Sequence, residues 1–140
     1  MNAAFYRTAL FLLRHAAGPR NWPPLLLLSW LRWHWARGHV GIIRDGSTIV
    51  AVGVARCVNS VAEAQADPYA CDEEGAILWV DELATHHPDG LSLLLTQARQ
   101  RFGTRTKLCG RVSKRPGELR MLPWSTVVKL TRRHVCTTRN

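Results

Sequence analysis

A chain of 140 residues with an ordinary apolar fraction is long enough for one domain with its own core and too short for two. Its formal net charge of +9 is unevenly spread, because no Asp or Glu precedes Asp45 and the acids lie mostly between residues 63 and 89. Such a charge distribution favours an acidic partner but does not choose among nucleic acid, anionic lipid, a phosphorylated cofactor and an acidic protein. The acid-free stretch carries six arginines: Arg7, Arg14, Arg20, Arg32, Arg37 and Arg44.

The cysteine spacing argues against a zinc-binding protein, and the hydropathy argues against a membrane-spanning one. Cys57, Cys71, Cys109 and Cys136 have no metal-ligand spacing, so no structural zinc is predicted and the thiols are expected to be reduced, in the cytoplasm. Cys57 and Cys109 stand in apolar strands and are predicted core residues. The most apolar segment, residues 24–31, is far short of the roughly 20 residues that a membrane span needs, so none is predicted.

Two helices are predicted before the first strand. Residues 2–15 have the apolar spacing of an amphipathic helix, which Gly18 and Pro19 end. A second helix opens at the prolines 23–24 and stops at Gly38. Its tryptophans alternate with basic residues, a pattern that binds single-stranded nucleic acid by stacking. The same pattern is typical of a helix packed on one side, and the run of four leucines favours packing.

A hairpin and a central strand follow. Residues 40–44 and 47–58 are predicted strands joined by the Asp45-Gly46 turn, which is among the strongest local hairpin signals. The second strand is apolar on both faces, as expected of a strand covered on each side. Residues 59–75 are polar and acidic, and they are predicted to form a loop or a short helix.

The remaining chain predicts a strand, a helix and a second hairpin. The strand covers residues 77–80, the helix covers 91–102 and ends at Gly103, and further strands cover 106–113 and 118–122. Residues 124–133 are a strand or a short helix, and 134–140 form a flexible basic tail. The predicted fold is a single α/β (α+β) domain with a mixed, largely antiparallel sheet flanked by helices.

The segment from the third strand to the following helix holds the candidate chemistry. Asp81 and Glu82 come where the strand is expected to end, and His86 and His87 follow in a polar loop. Carboxylates and histidines so placed can perform acid–base chemistry. The alternative is that the acids cap a strand end and the histidines lie in a solvated loop. The helix beyond Gly90 offers free backbone N–H groups to a phosphate or another anion.

These elements resemble a known fold. The order of hairpin, strand, cofactor-facing helix and strand resembles the GNAT superfamily of N-acetyltransferases. The segments RNWP (residues 20–23) and ILWVDELA (77–84), with the hairpin around Arg44-Asp45, are similar to the toxin-activating lysine acyltransferases. That GNAT-like family transfers fatty acyl groups from acyl carrier protein to lysines of a toxin. The resemblance covers residues 20–122.

The resemblance implies catalytic residues. Asp81 matches the family's catalytic aspartate, just after the central strand. The family's catalytic histidine immediately precedes its RNWP-like segment, where this chain has Pro19. His15, four residues earlier, or His86, near Asp81, is then expected to take its place.

The resemblance also implies the acyl donor. An acyl-CoA or acyl-ACP thioester would serve as co-substrate, without a metal, and an amine of a protein would be the acceptor. The usual GNAT pyrophosphate loop with spaced glycines is absent, and HHPDGLS stands in its place. The cofactor-binding candidates are the backbone groups near Leu83 and Thr85 for the thioester carbonyl, and His87, Gly90, Leu91 and Ser92 for the phosphates.

A non-catalytic function remains open beside acyl transfer. A degenerate GNAT-like scaffold can serve as a basic binding module for nucleic acid or an acidic protein, with affinity that falls steeply as salt rises. An exposed Trp/Leu surface would favour a homodimer.

Overall fold

A computed structural model describes residues 2–67, 69–112, 115 and 117–137. The helices are α1 (Ala3–His15), α2 (Pro24–Ala36), α3 (Val61–Ala64), α4 (Gly90–Phe102) and α5 (Trp124–Thr137), with a 3-10 turn at Pro19–Asn21. The strands are β1 (Val40–Asp45), β2 (Thr48–Val58), β3 (Ile77–Thr85), β4 (Lys107–Arg111) and β5 (Leu119–Pro123). The strands form one mixed, mostly antiparallel sheet in the order β1-β2-β3-β4-β5, which confirms the predicted α+β class.

Both predicted hairpins are present. β1 pairs antiparallel with β2, with Val40 opposite Val54 and Asp45 opposite Thr48 around the predicted Asp-Gly turn. β4 pairs antiparallel with β5 and parallel with β3. β2 lies between two neighbours and is buried on both faces, since Ala51, Val52 and Val54 are all inaccessible to solvent. The prediction of a central, doubly covered strand is therefore confirmed.

The prediction that β3 ends at Val80 is wrong, because the strand continues to Thr85. In the extension, buried and exposed side chains still alternate, as they do along a strand, with Ala84 buried between two exposed neighbours. A search for apolar residues alone did not reveal this part of the strand. Just beyond the strand, the His86 N–H donates to Val50 O at 2.7 Å, so this end of β3 lies beside the start of β2. Asp81 and Glu82 therefore lie within a strand on opposite faces, and not at its mouth.

The chain forms two compact units, which we describe separately. Unit 1 comprises Met1–Val54 and Glu82–Leu94, and unit 2 comprises Ala55–Asp81 and Leu95–Asn140. The core of unit 1 joins α1 and α2 to β2 and to Ala84 of β3, and it includes Phe5, Leu12, Leu31, Val52 and Val54. At the start of α1 the Asn2 side chain accepts a hydrogen bond from the Phe5 N–H at 3.0 Å, as an N-cap does.

The end of α2 brings two histidines together. Gly38 has a positive φ of 71°, and the N–H groups of Gly38 and His39 donate back to Trp35 O and His34 O. These are the two hydrogen bonds of a Schellman motif, which places the side chains of the first and last residues in contact. Those residues are His34 and His39, both buried, with their Nδ1 atoms 3.0 Å apart.

Unit 2 has two apolar clusters. Cys57 belongs to one and Cys109 to the other, so their predicted core positions are confirmed. Gly75, where the polar segment rejoins the sheet, is needed for close approach, since a Cβ there would overlap the backbone of Val58. That polar segment contains the short helix α3.

Residues 124–133, predicted to be a strand or a short helix, are helical and belong to α5. The helix continues to Thr137, into the range predicted as a basic tail, and residues 138–140 lie outside the described residues. Among the described helices, none is long and apolar enough to cross a membrane.

Candidate active site

The structure brings together two of the predicted catalytic residues, His15 and His86, in unit 1. His15 is the last residue of α1, and His86 directly follows β3. His15 Nδ1 and His86 Nε2 are 2.7 Å apart, a short hydrogen bond between imidazoles that are both exposed. The Phe11 ring packs against both, with ring centroids 4.6 Å from His15 and 6.1 Å from His86. Residues 71 positions apart in sequence therefore form one pair.

The surroundings of His15 favour its neutral form. Partial desolvation lowers the pKa of His15 below its ordinary 6.5, and repulsion from His86, Arg14 and Arg20 lowers it further. An imidazole whose pKa lies below 6.5 is largely deprotonated at neutral pH and can accept a proton. His15 is thus in the state that a general base requires.

The hydrogen bond between the rings couples the protonation of their two outer nitrogens, His15 Nε2 and His86 Nδ1. If His15 Nδ1 donates, His15 Nε2 keeps a lone pair; if His86 Nε2 donates, His86 Nδ1 keeps it. In either tautomer one outer nitrogen can accept a proton while the inner hydrogen bond stabilises the resulting charge. The arrangement is chemically able to take a proton from a bound amine.

The loop after β3 is folded around Thr85 and His87. Thr85 Oγ1 donates to His87 O at 3.0 Å and accepts from the His87 N–H at 3.1 Å. His87 Nδ1 in turn accepts from the Asp89 N–H at 3.0 Å. The Nδ1 atom of His87 thus already accepts the hydrogen bond that closes the turn. The predicted contact of His87 with a phosphate would therefore use Nε2.

Gly90 is required by packing rather than by an unusual backbone angle. It is buried at the first position of α4, and a Cβ there would overlap Thr85 Oγ1 and lie 3.3 Å from the Ala51 Cβ. The helix thus starts close against β2, one residue earlier than predicted. The other predicted cofactor-binding residues follow the same segment: Leu83 and Leu91 have exposed side chains, and Ser92 is half-buried.

Asp81, the third predicted catalytic residue, lies in unit 2 and is paired with Arg56. Arg56 Nε donates to Asp81 Oδ1 at 3.2 Å and to Oδ2 at 3.1 Å, and the two side chains are only 1% and 8% exposed. The guanidinium also donates to the carbonyls of Ala64 and Ala70, and the Tyr69 ring stacks on it at 3.9 Å. The buried charge of Arg56 is therefore compensated by one carboxylate, two backbone carbonyls and an aromatic ring.

Burial raises the pKa of Asp81 to about 6, against the opposing influence of Arg56, a hydrogen bond from Tyr69 and the more distant Arg111. The carboxylate is therefore ionised at neutral pH, with both oxygens engaged by Arg56. This geometry suits an electrostatic role for Asp81 better than a proton-transfer role. Its assignment as a catalytic residue stays a prediction.

The sequence did not single out Arg56, nor the proximity of Glu82 to Gly18 in unit 1. One signal for Arg56 was present: an arginine in the strand TIVAVGVARCV, which is predicted to be buried, needs a carboxylate within reach. Glu82 Oε1 lies against Gly18, in the turn that carries Pro19. No local pattern connects those two positions, because they are 64 residues apart.

The comparisons with known proteins identify no relative whose function could be transferred to this site. No protein-family model, curated protein or solved structure matches the chain.

Proposed function

We propose that this protein transfers an acyl group from a pantetheine thioester, carried by coenzyme A or by acyl carrier protein, to the amine of a lysine-like acceptor. The proposal rests on one observation above all, the hydrogen-bonded pair of His15 and His86. Two histidines from distant parts of the chain meet beside the loop that leads into α4. The family that the sequence resembles has its catalytic histidine at the position of Pro19, and His15 lies only four residues before it.

The chemistry needs a base and a polarised carbonyl. The neutral amine nitrogen attacks the thioester carbonyl, the carbon–sulfur bond breaks, and the thiol leaves as the amide forms. The proton that the amine loses passes to the outer nitrogen of the imidazole pair and from there to solvent or the departing thiolate. The lowered pKa of His15 keeps a lone pair available for this step at neutral pH.

The donor's phosphates are proposed to bind where α4 begins, at Leu91 and Ser92, because the N–H of the predicted contact Gly90 already donates to His87 O at 3.0 Å. The first N–H groups of a helix favour an anion, and no acid lies in the first turn of α4. The exposed side chains of Leu83 and Leu91 lie on either side of the loop and provide apolar surface for the pantetheine arm.

The test is binding and turnover with a panel of donors. Coenzyme A, acetyl-CoA, a long-chain acyl-CoA and acyl carrier protein are each added in a thermal unfolding experiment, because a ligand of the folded state raises the melting temperature. The stabilising thioester is then incubated with lysine-containing peptides, and free thiol and amide are measured together. We expect one thioester to stabilise the protein and to be consumed.

Variants assign the base. Replacing either imidazole, His15→Gln or His86→Gln, should lower turnover by about 100-fold or more, as expected for the loss of a general base, without weakening donor binding. Asp45→Asn, in the exposed β1–β2 turn of the same unit, is the matched control and should act like the wild type. Full activity in both histidine variants would refute the assignment. Asp81→Asn tests the aspartate in the same assay.

A second candidate function rests on the arginines of unit 1. All six arginines of the first 44 residues are exposed, and no acid lies among them. Such a surface attracts an acidic protein or nucleic acid without any catalysis. On this alternative, a random-sequence oligonucleotide stabilises the protein at low salt and loses its effect at high salt, while every thioester fails to bind.

A further inference from the structure

Unit 1 carries large apolar side chains that project into solvent from its first two helices. The helices pack against each other, since the rings of Phe5 in α1 and Trp35 in α2 meet edge to face with centroids 5.4 Å apart. The exposed apolar side chains of this helix pair, which we call the α1–α2 surface, are Tyr6, Leu10, Leu25 and Leu26.

The core of unit 1 uses only half of the leucine run at the start of α2. Leu27 is buried in that core, and Leu28 packs against it. By contrast, Leu25 is 81% and Leu26 53% exposed. The expectation that the run of four leucines packs is therefore met by its second half. The first half offers two adjacent leucines to an apolar partner, and burial of leucine side chains favours binding.

Arginines surround these apolar side chains. Leu10 has Arg7 three residues before it and Arg14 four residues after it, so both arginines neighbour it on the surface of α1. Arg32 follows Leu25 by seven residues, which places it on the same face of α2 two turns later. All three arginines are exposed, and residues 1–44 contain no Asp or Glu. The α1–α2 surface is therefore apolar and purely cationic.

This combination distinguishes among the acidic partners that the net charge allows. Nucleic acid offers phosphates to the arginines but no apolar layer to the leucines. A second copy of the chain would bring the same arginines and be repelled. An acidic protein would need a pocket shaped to each projecting leucine. An anionic bilayer supplies negative headgroups above hydrocarbon and adapts to side chains of any shape.

We infer that the α1–α2 surface binds the surface of an anionic lipid membrane. Leu10, Leu25 and Leu26 enter the outer hydrocarbon, the Tyr6 ring lies at the level of the headgroups, and the arginines contact lipid phosphates. The binding uses neither the His15–His86 pair nor the start of α4. It thus goes beyond the proposed function and does not depend on it.

The test is co-sedimentation of the full chain with lipid vesicles. One set consists of phosphatidylcholine alone, and in the other about a third of the lipid is phosphatidylserine, which makes the vesicle surface negative. We expect binding to the second set only. The partition coefficient should fall as salt rises, because salt screens the charges. A random-sequence oligonucleotide and measurement of the oligomeric state by ultracentrifugation cover the other partners.

Two double variants separate the apolar and the charged contributions. Leu25→Ser with Leu26→Ser keeps the net charge and should lower the partition coefficient by about tenfold or more, because two apolar side chains no longer enter the hydrocarbon. Arg7→Gln with Arg14→Gln keeps the leucines and should lower it by about fivefold for each arginine. Melting temperatures are recorded for every variant, and exposed substitutions of this kind are expected to leave the fold intact.

Matched controls lie in β5, in unit 2. Met121→Ser removes an exposed apolar side chain and Arg120→Gln an exposed charge, and both should bind vesicles like the wild type. Equal binding to neutral and anionic vesicles, or unchanged binding in the leucine variant, would overturn the inference. Binding of the oligonucleotide without binding of vesicles would overturn it too. So would a dimer that the leucine variant loses, if the wild type binds no vesicles.

Discussion

Arg56 donates two hydrogen bonds from a single nitrogen, Nε, to the two carboxylate oxygens of Asp81. Its Nη1 and Nη2 atoms each donate one hydrogen bond to a backbone carbonyl of the segment between β2 and β3, so one buried cation joins two strands and the chain that connects them. Such a buried ion pair adds little to the free energy of unfolding compared with apolar residues of equal volume. Losing one member is costly, however, because the other is left as an unpaired buried charge.

Removing Arg56 should therefore be costly. Arg56→Met leaves the Asp81 carboxylate buried without its partner, and we expect the free energy of unfolding to fall by about 3 kcal/mol or more. The pKa of Asp81 should also rise above its present value of about 6, because Arg56 is the strongest influence that lowers it. Chemical denaturation and carboxyl NMR titration measure the two effects.

The control is an exposed ion pair of the same unit. Arg101 and Glu73 lie 3.4 Å apart with side chains 41% and 52% exposed, so Arg101→Gln should cost less than about 1 kcal/mol. Similar losses in Arg56→Met and Arg101→Gln would mean that the buried pair has no special weight.

The pKa of His15 gives a prediction on pH. His15 has a lower pKa in the folded chain than its ordinary 6.5, so the unfolded chain binds the proton more readily. Its contribution to stability is complete above pH 6.5 and is lost as the pH falls from 6.5 through the folded pKa. Histidine NMR titration should find the pKa of His15 below 6.5, and base-dependent turnover should decline over the same acidic range.

His86→Gln tests the origin of that shift. The variant removes a repelling imidazole, so the pKa of His15 should move back towards 6.5, though not fully, because desolvation is the larger cause. His87→Gln is the neighbouring control and should leave the pKa of His15 in place. A His15 titration that is identical in His86→Gln and the wild type would contradict the pairing.

Gly90 is predicted to tolerate no larger residue. In Gly90→Ala the new methyl group displaces Thr85 Oγ1, which holds both the N–H and the carbonyl of His87, so we expect a loss of about 1–3 kcal/mol from overpacking. Gly53→Ala is the matched control, because its Cβ would meet Leu94 at an ordinary 3.4 Å. Thermal unfolding compares the two; equal melting temperatures would show that the start of α4 is loosely packed.

The buried His34–His39 pair predicts non-additive mutations. Each single change, His34→Leu or His39→Leu, removes one side of the 3.0 Å hydrogen bond, whereas the double change replaces both by apolar groups at a position where Schellman motifs favour them. A double-mutant cycle by denaturant unfolding should give a coupling energy of about 0.5–3 kcal/mol. Strictly additive losses would mean that the hydrogen bond contributes nothing to stability.

Local chemistry predicted most of the secondary structure. The Asp45-Gly46 turn, the glycines 38 and 103 beyond helix ends and the apolar faces of β2 each act over a few residues, so their signals are complete in the sequence. The end of β3 was misjudged because residues 81–85 alternate with polar side chains, and the pairing of His86 with Val50 lies outside any local window.

The candidate site was only partly predictable. His15 and His86 were each named as candidates, but nothing in the sequence indicates that their rings meet, since that depends on how α1 packs on the sheet. Gly18 looked like a residue that ends a helix, and its other property, space for a carboxylate, is visible only in three dimensions. Residue types can be predicted from chemistry, whereas partners depend on tertiary packing.

Arg56 holds the segment between β2 and β3 in a way that bears on how this chain can vary. At Ala70, which is exposed, the guanidinium donates to the backbone carbonyl, and every amino acid offers the same carbonyl. This hydrogen bond therefore depends on the position of the backbone at residue 70 and not on which side chain residue 70 carries. A substitution at such an exposed position leaves this hydrogen bond in place, whereas a substitution at position 56 removes it and leaves the Asp81 carboxylate without its partner.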